Sequence, residues 1–139
     1  MKFFKIFALA MIATIFLASC ATTPDKVLPK KQGVWDVNSI RFETYVNGAV
    51  AGDSTANDQG TMTFKDDGTG TVSADGSVTN ITWDYNETNE TIRITDNSGS
   101  VDFDILESAA KEQTWKTEFE FEFFGVTTRT VQTWNLARQ

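Results

Sequence analysis

From Trp115 to Phe123 the chain alternates: Trp115, Phe119, Phe121 and Phe123 share one parity, and Lys116, Glu118, Glu120 and Glu122 share the other. Successive Cβ atoms of a β-strand point to opposite sides, so a period of two gathers the rings on one face and the charges on the other, which a helix of period 3.6 cannot do. Such a strand has a dry side and a wet side, and it requires a sheet whose dry face is covered.

The same period recurs between turn-forming clusters. Met62 and Phe64 precede a turn at Asp66-Asp67-Gly68; Val72 and Ala74 precede a second at Asp75-Gly76. Ile81, Trp83 and Tyr85 share a face, as do Ile92 and Ile94, and Asp96-Asn97-Ser98-Gly99 makes a further turn before Val101, Phe103 and Ile105. The first strand, Gly33 to Val46, changes phase between Val37 and Ile40, which predicts a bulge or bend. The last strand runs from about Thr127 to Ala137, and Ser108-Ala109-Ala110-Lys111 is the one stretch suited to a helical turn. Eight strands with tight connections predict an all-β, eight-stranded antiparallel meander barrel, the size at which side chains fill the interior or leave room for one small ligand. An open β-sandwich would satisfy the same alternation.

The first residues do not belong to this pattern. Lys2 and Lys5 precede an apolar run from Ile6 to Leu17, interrupted only by Thr14. A run of this length is too short to span a bilayer and suits the core of a signal peptide. It closes on Leu17-Ala18-Ser19-Cys20, which resembles the lipobox of bacterial lipoproteins, in which an acylated cysteine (palmitate being one of the chains) becomes the first residue. An ordinary cleavage site beside a chance cysteine is the alternative. The resemblance implies a signal peptide at 1–19, a lipidated flexible tether at 20–32 that holds both prolines, and a barrel domain at 33–139. Each buried methylene contributes about 0.8 kcal/mol, so two or more acyl chains anchor stably. Ala21 in place of an aspartate after the acylated cysteine points to the outer membrane, with the domain facing the periplasm and the cell surface as the alternative.

Removing Lys2 and Lys5 from 12 basic residues leaves 10 against 19 acidic side chains, a net charge of −9 for residues 20–139. That balance disfavours nucleic-acid binding, which needs a basic surface. The chain has no histidine and one cysteine, so Ser-His and Cys-His nucleophiles, histidine-ligated metals and disulfides are unavailable. Asp66 and Asp67 fall in a turn, and Glu118, Glu120 and Glu122 on a wet face, where nothing would raise their pKa for acid catalysis. Asp96, Asp102 and Asp104 match no calcium-loop spacing. No enzyme activity, cofactor or metal is expected, and the partners expected are a membrane through Cys20 and an apolar molecule, with the domain a monomer.

Gly33-Val34-Trp35 resembles the Gly-x-Trp signature of lipocalins. With the lipobox, the short tether, the Thr-Phe-x-x-Asp-Gly-Thr hairpin at Thr63 to Thr69 and the terminal Trp-Asn-Leu-Ala-Arg, the layout over residues 33–138 is similar to small lipocalin-like (calycin-type) lipoproteins of the Bacteroidetes. The resemblance implies that Arg138 packs across Trp35, a cation–π contact within about 6 Å that closure of first strand on last also permits. Two departures are the lack of the helix that follows many lipocalin barrels and of any disulfide.

Trp35, Phe42, Phe64, Trp83, Phe103, Trp115, Phe119, Phe121 and Trp134 are expected to converge on the interior. They either line a pocket for a small hydrophobic ligand or fill the barrel as core, since each ring buries about 150–250 Å². The first alternative makes the protein a ligand-binding lipoprotein, the second an envelope interaction or inhibitor lipoprotein acting through its loops and acidic outer face. An aspartate at Phe121 is expected to prevent folding, and a lysine at Glu120 to be tolerated.

Overall fold

The computed structural model describes residues 23–139; the signal peptide expected at 1–19 and the acylation expected at Cys20 lie outside the described residues. The strands are β1 (Val34–Val46), β2 (Ala49–Asn57), β3 (Thr61–Phe64), β4 (Thr69–Ala74), β5 (Ser77–Asn86), β6 (Thr91–Asp96), β7 (Gly99–Ser108), β8 (Glu112–Phe123) and β9 (Val126–Arg138). All pairings are antiparallel, β3 to β9 follow one another as neighbours, and β9 returns to pair with β1 from Trp35 through Val46. On its other edge β1 pairs with β3 at Val34–Asp36 and with β2 at Ser39–Val46, so β2 and β3 together make one stave, and the closed barrel has eight.

The phase change in β1 is a bulge at Asn38: the register with β9 shifts between Val37 and Ser39, bringing Trp35, Val37 and Ile40 all into the core. Two-residue turns join several hairpins. Asp75-Gly76, Asn47-Gly48 and Phe124-Gly125 all have positive φ at both positions, the mirror-image turn that matches strand twist.

Three expectations are corrected. β2 was not anticipated: its sequence, AVAGDSTAN, presents almost wholly exposed small and polar side chains, with no hydrophobic alternation to reveal it. No helix forms at Ser108 to Lys111. The segment expected to be a loose tether is instead folded from Pro24 on: a helical turn, α1 (Pro24–Val27), precedes a 3-10 turn at Lys31–Gly33, and Val27 and Leu28 are buried in the core cluster with Trp35. This segment seals one end of the barrel. Pro24 and Thr23 sit against Tyr85, Glu90 and Ile105, at the end where β5, β7 and the start of β8 lie.

Candidate functional site at the open end of the barrel

The two barrel ends differ, and the difference divides the aromatic residues. At the sealed end Trp35, Phe64 and Trp115 are fully buried. Trp35 donates its indole N–H to the Leu28 carbonyl at 3.0 Å, and the Arg138 guanidinium lies over its ring, 4.6 Å from the centroid. Arg138 also donates to the carbonyls of Ala110, Lys30 and Val27, so the last strand ties down the sealing segment. Burial pulls the guanidinium pKa below its ordinary value, while three carbonyl acceptors and the indole face support its charge. Gln113, buried beside Trp115, is satisfied by bonds to Ser108, Ala109 and the Trp115 indole.

Ring contacts then run from this end toward the other: Trp83 to Phe64 at 5.6 Å, Phe64 to Trp115 at 5.9 Å and Phe103 to Trp134 at 5.3 Å edge to face, and Trp115 to Phe103 at 5.8 Å in a tilted pair. Where the chain of rings ends, a cavity of about 380 Å³ opens. Its walls are Met62, Val72, Ile81, Ile94 and Val101, with Phe103, Phe119 and Trp134. That volume lies in the range of small-molecule sites, which run from about 300 to 1,000 Å³.

Beside these walls, its polar lining residues are Thr79, Asp96, Ser98, Ser100, Thr117 and Gln132. Thr117 and Gln132 are direct register partners on β8 and β9, and together they form one polar rung in an apolar wall. The Gln132 side-chain carbonyl accepts the Trp134 indole N–H at 3.0 Å, which leaves its NH₂ group to donate into the cavity. At the rim, Asp96 accepts from the Ser98 backbone N–H at 2.7 Å, the Ser98 hydroxyl at 2.6 Å and the Gly99 N–H at 3.1 Å. These bonds hold its pKa below the ordinary carboxylate value, so the rim carries a negative charge at neutral pH. Among the described residues, no lysine or arginine lines the cavity.

Of the nine aromatics expected to line a site, Phe103, Phe119 and Trp134 do so. Trp35, Phe64 and Trp115 are sealed core, Trp83 donates its indole N–H to the Lys65 carbonyl near the sealed end, and Phe42 packs at the core margin. Phe121 is a correction: it is 60% exposed. It shares the face of Phe119 but sits beyond the barrel, where β8 has lost its neighbour. β7 and β8 pair only between Asp104–Lys116 and Ser108–Gln113, and Thr117–Phe123 pair with β9 alone. Among the lining residues missed by sequence reasoning, Thr117 is the polar position on an otherwise aromatic face of β8 and Gln132 shares the parity of Trp134 on β9; those parities were the available signal.

Among solved structures, the chain is similar to apocrustacyanin C1, at 18% identity and a TM-score of 0.48 with 86% of this chain and 71% of that one covered, and to apocrustacyanin C2, at 14% identity and 0.43 with 87% and 72% covered. No protein-family model and no curated protein matches the chain.

Proposed function

We propose that the protein is a membrane-anchored binding protein that holds one small, neutral, apolar molecule in the open end of its lipocalin-like barrel. The observation that carries this reading is the cavity of about 380 Å³, its walls mostly apolar, with a Thr117–Gln132 rung, four further polar residues and, among the described residues, no basic one. A hydroxyl or carbonyl on the ligand would meet the Gln132 NH₂ and the Thr117 hydroxyl. A carboxylate would meet no cation and would pass the charged Asp96. Burial of an apolar ligand contributes about 25 cal/mol per Å² removed from water, so the walls supply affinity and the rung supplies orientation. Catalysis is not part of the proposal: the chain has no histidine, and Asp96, the carboxylate beside the Ser98 hydroxyl, is held below its ordinary pKa and is a weak base.

Anchoring is proposed from the order of Lys2, Lys5, the apolar run and Leu17-Ala18-Ser19-Cys20, with acylation of Cys20 holding a monomer on the outer membrane, its domain in the periplasm. Replacing Cys20 by serine should move the protein from the detergent to the aqueous phase on phase partition; retention in the detergent phase would refute acylation at this residue.

The ligand reading is tested by titrating the soluble Cys20→Ser form with a linear polyene alcohol and with the carboxylic acid of the same skeleton, reading tryptophan fluorescence. Trp134 lines the cavity and Trp115 lies one ring behind it, so the alcohol should quench saturably and the acid should bind at least tenfold more weakly. No saturable quenching by the alcohol, or equal affinity for the acid, would overturn the reading.

A further inference from the structure

Past Lys116, β8 is an edge strand. From Thr117 to Phe123 it pairs with β9 on one side and, among the described residues, with no strand on the other, although it runs on for seven residues. Unpaired edges of this length invite another strand. This one is not blunted by a proline, a bulge or a lysine. Its two faces are sharply different. Phe119, Phe121 and Phe123 stand on one side, 43%, 60% and 66% exposed. Glu118, Glu120 and Glu122 stand on the other, and among the described residues Glu118 alone of these has ion partners, Lys116 and Arg129.

We propose that this edge receives an extended segment of a partner protein by strand addition, and that the segment alternates apolar with basic side chains. Main-chain bonds to the edge would give affinity and the alternating side chains specificity. Opposite charges directly across a strand pair stabilise and like charges destabilise, so a lysine or arginine belongs opposite Glu120 and Glu122. β-branched or aromatic side chains belong opposite the three phenylalanines.

Charge excludes the nearest competitors. A second copy pairing β8 with β8 in the antiparallel sense would set the glutamates against one another. The other free edge, that of β2, brings no basic residue, and its Asp53 is already held by Arg41 of β1 at 2.7 Å. An anionic lipid surface would meet the same row of carboxylates.

The test uses the full-length protein in detergent and a fluorescent nine-residue peptide of alternating lysine and valine, followed by anisotropy. Two control peptides carry glutamate for lysine, or the same residues in two blocks. The alternating basic peptide should bind saturably and the block peptide at least tenfold more weakly. The doubly substituted Glu120→Lys, Glu122→Lys protein should reverse the preference between the lysine and glutamate peptides, and Phe121→Ser should weaken binding while leaving quenching by the cavity probe unchanged. Equal binding of the alternating and block peptides would reduce the effect to net charge and overturn the proposal. It would equally be overturned if no peptide binds, if the protein dimerises through Phe121, or if it binds neutral phosphatidylcholine vesicles in a way that Phe121→Ser abolishes.

Discussion

Gly33 shows how much one residue can decide at the sealed end. Its φ is +67°, and a Cβ built on it would lie 1.9 Å from the Phe64 carbonyl oxygen, so both the backbone conformation and the space require glycine. The turn it makes sends the chain from the sealing segment into β1 with Trp35 facing inward. Gly33→Ala should lower stability by about 1–3 kcal/mol from the left-handed backbone alone, with the clash added to that, as a urea melt would read it. The two faces of β8 give a second contrast. Trp115→Ala should cost about 3–5 kcal/mol, as expected for a buried ring, whereas Phe121→Asp should fold with a melt close to that of the parent because its ring already stands in water. This reverses the expectation drawn from alternation. Parity along β8 assigns Phe121 to the same side as Trp115, but it cannot say where the barrel wall on the β7 side stops, because that depends on the pairing of another strand.

Among elements, those with hydrophobic alternation were legible and those stabilised by distant partners were not. Trp115 to Phe123 and Val101 to Ile105 announced strands because burial imprints a period of two on their composition. β2 carries no such imprint, since it hangs on the edge of β1 and buries almost nothing. Val27 and Leu28 gave no periodic signal either, because two apolar residues become a barrel plug only once Trp35 and Arg138 are in place to receive them. Leu28 is fully buried, so Leu28→Ala should lower stability by about 2–5 kcal/mol, an outcome a free tether would not produce. The β6–β7 hairpin carries a pH dependence. Asp96 has a folded pKa depressed first by the Ser98 hydroxyl and then by backbone N–H groups, so its contribution is present above the ordinary aspartate range and is lost as pH falls through the lower folded value. Amide resonances of Ser98 and Gly99 should therefore titrate below about pH 4, the unfolded reference value being near 3.9, and Asp96→Asn should abolish that titration.

For the whole molecule, the asymmetry of the barrel constrains how it can stand on a membrane. Thr23 and Pro24 lie at the sealed end, and the cavity, the β6–β7 turn and the unpaired part of β8 lie at the other. If Cys20 carries the acyl chains, only residues 21–23 separate the bilayer from folded structure, a reach of about 10 Å at roughly 3.3–3.6 Å per residue. β9, with 13 residues, is several times longer than that even when tilted. The sealed end must then face the membrane and the open end must point into the aqueous space, so a ligand would arrive from solution or from another protein rather than directly from the anchoring leaflet. In liposomes with headgroup-labelled lipid, a fluorophore on a cysteine at Asn89, in the β5–β6 turn of the sealed end, should transfer energy strongly. The same fluorophore at Ser98, on the rim of the cavity, should transfer weakly. The opposite order would place the mouth against the bilayer, and extraction from that membrane would then be the simpler route for the ligand.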